Sequence, residues 1–330
     1  MEDPLHDPQQ DPQQPITRPK THANKKSRIR TIEYSPDGTR LAIALENGFI
    51  GLYDAQTGTE LVQYRFKKRE TDDIDIWELA FSPDGKTLAS AGQDHTIRLW
   101  HTNTGQQIRS LRCFQVLCIA FSPDGKTIIS GSEERVKLFR TDTGEHIRTF
   151  NGHSYRVFGV AFRPDGKMIA SSDAEDINLW DVSTGQLIRT IESDVANGKD
   201  LAFSPSGKWI ACFEGNGINQ SIHTSLWNTN TGQKIREING MTSLHNDVDV
   251  AFSPDEKLMA SIGLGDFAVV LMDVNTGQLF RRLKGKRDDF KYHILMVAFS
   301  PDGKTIASAG RHEVHLWDVN TGYLRKLISF

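Results

Sequence analysis

The sequence predicts an all-β chain built from seven four-stranded antiparallel units set around a common axis. Two phrases that repeat in step predict this, together with strand-like alternation between them. The first phrase reads AFSPDGKTIASAG at residues 298 to 310, and its proline recurs as Pro36, Pro83, Pro123, Pro164, Pro205, Pro254 and Pro301. The second phrase ends in a glycine that recurs as Gly58, Gly105, Gly144, Gly185, Gly232, Gly277 and Gly322. Successive units are therefore spaced by 40 to 49 residues and share one internal plan.

The last unit, residues 295 to 330, gives that plan in order. LMVAF alternates as a strand does, SPDGK is a turn, TIASAG is a second strand, EVHLWDV a third, NTG another turn and YLRKLISF a fourth. In SPDG, proline presets the first turn dihedral and glycine takes a left-handed conformation that other residues resist by roughly 1–2 kcal/mol. The second strands (LAIA, LASA, IISG, IASS, IACF, MASI, IASA) carry small residues, as wedges converging on an axis require. The third strands end in Tyr53, Trp100, Phe139, Trp180, Trp227, Met272 and Trp317, expected between units. The fourth strands carry Arg109, Arg148, Arg189, Arg236, Arg281 and Arg325, read as exposed cations that keep outer edges from pairing with another molecule.

A unit of this length with Gly152-His153 near its start and Trp180-Asp181 closing its third strand resembles the WD-repeat family of β-propellers, and Trp317-Asp318 repeats the second signature. The resemblance spans residues 28 to 330 and implies a single seven-bladed β-propeller of four-stranded antiparallel blades. It also implies a hydrogen-bonded His, Ser or Thr, Trp and Asp in each blade. Only unit four offers every type, as His153, Ser171, Trp180 and Asp176, with a turn one residue short of the usual spacing. The family usually closes its ring by mixing strands from both termini. This chain shows no spare strand, apart from the proline-flanked PITRP at 15 to 19, so blades one and seven are expected to meet through side-chain packing. Residues 1–27, with Pro4, Pro8, Pro12 and Pro15 among polar residues, read as a disordered leader.

Composition limits the function classes. Hydrophobic residues make up 38% and charged residues 25%, and no run approaches the roughly 18 apolar residues of a membrane span. The net charge of -3 provides no global attraction to nucleic acid or an anionic membrane, so neither is expected as a partner. Cys113, Cys118 and Cys212 lack paired spacing, suit a reducing compartment and read as buried thiols. No signal peptide is seen, and a cytoplasmic location is expected.

Catalytic signatures are missing: there is no GxSxG, GxxxxGK[ST], HExxH or CxxC. His312 and His315 lie on opposite faces of one strand, which suits no metal. Asp37, Asp84, Asp124, Asp165, Asp255 and Asp302 each have a turn to form, which leaves none as an acid or base. No catalytic residue, metal or cofactor is expected. An enzyme of the hydrolase or lactonase type with a site in the central channel stays as the alternative, because fold alone does not decide function.

Recognition by loops is the expected activity. The loops entering the first strand, and those joining the second to the third, vary most between units. Lys25, Lys26 and Arg28, then Lys67, Lys68 and Arg69, then Lys284, Lys286 and Arg287 precede units one, two and seven, which are neighbours in a closed ring. Units three to five bring Glu133, Glu134, Asp173, Glu175, Asp176, Glu192 and Asp194 to the same face, which is therefore electrically divided. A solvated mixture of charges is the competing reading, and Asp72, Asp73, Asp288 and Asp289 beside the cations favour it. The resemblance implies peptide contacts at the start of the first strands, at Arg30, Trp77, Leu117, Phe158, Lys199, Val248 and Leu295. Arg156 and Glu175 join Phe158 on the same rim, in an aromatic-and-charge combination common at interaction hot spots. The expected partner is a protein or peptide, with an acidic segment over the basic arc, bound by a monomer or by a member of a larger assembly.

Overall fold

The computed structural model describes residues 27–64, 74–193, 201–215, 222–238, 249–262, 268–283 and 296–330. The predicted leader, apart from Ser27, and the PITRP segment lie outside them. Seven sheets form, each of four antiparallel strands in strictly sequential order. The last consists of Met296–Phe299, Thr305–Ala309, Glu313–Asp318 and Leu324–Ser329. The innermost strand of each blade touches that of the next, and blade seven's touches blade one's, so the array closes into a ring.

The turns form for the expected reasons. In the first SPDG turn the Ser35 hydroxyl donates to Asp37 at 2.6 Å and Asp37 accepts the Thr39 N–H at 3.0 Å. These bonds, the one from Ser35 foremost, hold the Asp37 carboxyl below its ordinary range. Gly38 sits at φ +70°, and blade six places Glu256 at φ +58° in the corresponding position.

A blade is apolar on both faces and buries each against a neighbour. The bulky residue closing each third strand packs onto the blade before its own: Trp100 joins the core around Leu52 and Tyr64, Trp180 that around Leu138 and Phe150, and Tyr53 that around Leu316 and Ile328. Small second-strand residues such as Ala42, Ala89 and Ala170 are fully buried, and the closeness of the sheets there explains their size.

The fourth-strand arginines correct the sequence reading. Five of the six reach across to the next blade instead of standing along the outer edge. Arg148 donates to the carbonyls of Thr184 and Ser183 at 2.5 and 3.0 Å, lying so close to Gly185 that a Cβ there would stand 2.6 Å from Arg148 Cδ. Arg109, Arg189, Arg236 and Arg281 make the same reach. Strand register further shows that Arg325 does not belong to the series. Lys326 opposes Leu316 as Arg109 opposes Leu99, and Arg325 pairs instead with Asp318 in its own blade. Blade one carries Val62 at that place.

Blade four holds the buried network, with one correction. His153 stands 2.6 Å from Ser171 Oγ, which also accepts the Trp180 indole N–H at 2.8 Å, but the carboxylate is Asp173, 3.0 Å from His153 Nδ1. Asp176 starts the third strand itself, so the shorter turn moves the acid three residues upstream. Burial opposes ionisation of Asp173. The bonds from His153 and from the Glu175 and Asp176 N–H groups outweigh it and hold the carboxyl well below its ordinary range. Trp100 and Trp317 likewise donate their indole N–H to a serine, Ser90 and Ser308, each at 2.8 Å.

Among the described residues, no strand crosses the seam between blades seven and one. Ile29 N–H donates to the Arg311 carbonyl at 2.8 Å, His312 Nδ1 lies 3.0 Å from the Ser27 carbonyl, and Phe330 meets Tyr53 edge-on at 5.5 Å. Lys326 lies on Gly58 where five other blades place an arginine. Arg148→Met is expected to lower unfolding free energy by about 1–2 kcal/mol, and Arg325→Met by less than about 0.5 kcal/mol, in denaturant titration. Equal losses would show that reaching the next blade is not what stabilises.

Candidate channel mouth and loop face

The ring encloses a channel of about 1000 Å³. The innermost strands line it along their length, with consecutive residues of each strand contributing. One tier is aromatic in all seven blades: Tyr34, Phe81, Phe121, Phe162, Phe203, Phe252 and Phe299. The next tier is alanine in six blades and Glu33 in the first. Prolines of the SPDG turns lie toward one end, and Arg28, Arg30, Arg311 and Trp77 line the other.

Arg30 and Trp77, expected from the sequence to be rim residues, come together there. Arg30 makes a two-pronged pair with Asp75, Nε to Oδ1 at 2.9 Å and Nη2 to Oδ2 at 2.6 Å, and the Trp77 side chain also donates to Asp75. Burial nonetheless raises the Asp75 carboxyl above its ordinary range, against the pull of Arg30. Sequence reasoning overlooked Asp75, which fixes both rim residues from the loop entering blade two.

The other expected residues do not join them. Leu117 and Phe158 are half-buried, and neither lines the channel. Arg156 and Glu175 are exposed on blade four, but the partner of Glu175 is the Tyr155 hydroxyl, a residue absent from the sequence reading. Burial, then repulsion from Asp173, Glu175 and Glu192, raises the Asp176 carboxyl, as an acidic sector would. Lys67, Lys68, Arg69 and Lys199 lie outside the described residues, as do Lys25, Lys26, Asp194, Val248, Lys284, Lys286, Arg287 and Leu295.

Two carboxylates inside the channel were also overlooked. Glu33 Oε2 accepts the Phe81 N–H at 3.0 Å and Asp249 Oδ2 the Val297 N–H at 2.9 Å, so each ties its blade to the next at the inner edge. Burial, with repulsion from Glu78, raises Glu33 well above its ordinary range, and burial pushes Asp249 up to about 7. The signal for Glu33 was legible, as the one departure from six alanines.

Ser171, His153 and Asp173 have the types of a hydrolytic triad, but Ser171 is fully buried and its oxygen accepts the Trp180 N–H, so no substrate reaches it. The turn aspartates are taken up by turn bonds, such as Ser82 to Asp84 and Ser122 to Asp124, both at 2.6 Å.

Because folding raises the Asp249 pKa above its unfolded value of 3.8, the folded state holds the proton longer. Its contribution is neutral below pH 4 and becomes increasingly destabilising toward pH 7. Asp249→Asn is therefore expected to match the wild-type Tm at pH 4 and to gain about 2 kcal/mol by pH 8, less than the full shift because this half-buried group meets channel water. A difference independent of pH would refute that assignment.

Comparison with known proteins supports the fold. The family model described as WD domain, G-beta repeat matches residues 64–101, 105–140, 144–181 and 278–318. A model described as the Anaphase-promoting complex subunit 4 WD40 domain matches residues 14–75. No curated protein matches the chain. With repeat matches in both halves of a closed ring of seven four-stranded sheets, the chain belongs to the WD-repeat family of β-propellers.

Proposed function

We propose that this chain is a non-catalytic interaction platform that binds a protein or peptide partner on its loop face. The observation that supports it most is the channel mouth at blades seven, one and two, where Arg28, Arg30, Arg311 and Trp77 border one opening. An aromatic held by a half-buried carboxylate beside several guanidinium groups provides an anchor with little ordering cost. The partner segment that suits it is acidic, placed across the cationic loops of those three blades and entering at Trp77. Family membership favours a protein partner, and the name of the model matching residues 14–75, that of a complex subunit, favours a place in a larger assembly.

The test is capture of partners from cells by the full-length chain. Trp77→Ala, and separately Lys67→Glu with Lys68→Glu and Arg69→Glu, are expected to weaken capture by roughly tenfold, with loss also at raised salt. Undiminished capture by both variants at low salt would remove the proposal.

A further inference from the structure

We infer that the outer wall of the ring at blades six and seven is a second docking surface, for an extended acidic segment with apolar residues from a partner protein. It lies on the rim of the ring, apart from the loop face, and does not depend on the function proposed there.

The repeats supply the comparison. In each blade the residue at the start of the outermost strand offers its carbonyl to the end of the third. That residue is Thr59, Gln106, Glu145, Gln186, Gln233 or Gln278 in six blades and Tyr323 in the seventh. The residue one beyond the inter-blade cation is Gln63, Ser110, Thr149, Thr190, Glu237 or Arg282 in six blades and Leu327 in the seventh. Blade seven alone is apolar at both, and neither side chain is covered: Tyr323 is 76% exposed and Leu327 41%. Folding gains nothing from these choices, since six sister blades fold with polar residues in the same environment.

The patch is continuous. Leu324 opposes Trp317 and Leu327 opposes His315, so both stand on the side of the sheet where Trp317 packs against blade six. From blade six, Arg281 reaches the Thr321 carbonyl at 3.1 Å, lies on Gly322 and keeps Phe280 5.5 Å from its guanidinium. Phe280, Tyr323, Leu324 and Leu327 thus share one stretch of wall, and Phe280 and Leu324 are 48% and 40% exposed.

Charge selects the occupant. Arg281, Arg282, Arg325 and Lys326 lie next to the apolar residues along the two outermost strands, Lys326 on the side toward blade one. The nearby carboxylates are Asp273, which accepts Thr276 N–H, and Asp318, which accepts Thr321 N–H and is paired with Arg325, so cations are in excess. The outermost strand is the last of its sheet, so its outer edge offers backbone groups to an added strand. A second copy suits this edge poorly, since antiparallel self-pairing would set Arg325 and Lys326 against their own kind.

The full-length protein is used to select short randomised peptides from a display library, and the selected peptides are measured by fluorescence anisotropy. Tyr323→Gln with Leu327→Thr uses residues that sister blades carry at these places, so the variant is expected to fold with unchanged Tm. Peptides rich in Asp, Glu and apolar residues are expected, binding the variant roughly tenfold more weakly or worse and weakening with salt. Selected peptides that are not acidic, or that bind the variant as well as the wild type, would overturn the inference. So would self-association of the wild type that the variant abolishes in sedimentation equilibrium.

Discussion

A four-stranded blade has two apolar faces and no means of burying either by itself. That constraint governs the molecule, because the only arrangement that covers both faces of every blade is a closed circle. Trp180 illustrates it: its ring lies in the core of blade three, and its indole N–H is satisfied by Ser171 in its own blade. A buried aromatic with its polar atom paired fixes the distance between two sheets and their relative tilt. Repeated with Tyr53, Trp100, Phe139, Trp227, Met272 and Trp317, it makes each blade the lid of the one before.

Around that wedge, secondary fastenings are unevenly distributed. Charged guanidinium groups bridge blades two to seven at the periphery. Blade one lies outside this series and is joined differently on its two sides. Toward blade two it uses Arg30 with Asp75, Glu33 with Phe81, and the Tyr64 hydroxyl on the Thr102 carbonyl. Toward blade seven it relies on apolar burial and a few terminal hydrogen bonds. Among the described residues, the seam is therefore closed by the general interaction of the fold, without an interlocking strand.

The same economy of position sets apart the two surfaces proposed for recognition. Turn chemistry occupies the SPDG face, since serine, aspartate and glycine there are committed to one another. The channel mouth and the wall of blades six and seven escape that commitment. Polar groups at the mouth are held in place by partners yet remain at an opening, and apolar groups on the wall are left in water. The first condition lowers the cost of ordering side chains when a partner arrives, and the second supplies apolar area to bury.

Blade number, strand order, turn type and the inter-blade aromatics could all be read from the sequence, because each depends on local periodicity repeated seven times. Arg30 and Trp77 were singled out by the resemblance to the family, applied to the start of each first strand, and not by periodicity alone. What the sequence left undecided were contacts between residues on different blades. Arg148 has the same neighbours in sequence whether it faces water or Thr184, and only the approach of the next sheet selects between them. Asp173 and Asp176 are equally plausible partners for His153 until the length of one turn is known in space. Asp75 and Asp249 carry no pattern of their own, and it was burial against an adjacent blade that gave each its altered acidity. Local order followed from the repeats; pairings and proton affinities were decided by the ring, since both depend on distances that only closure establishes.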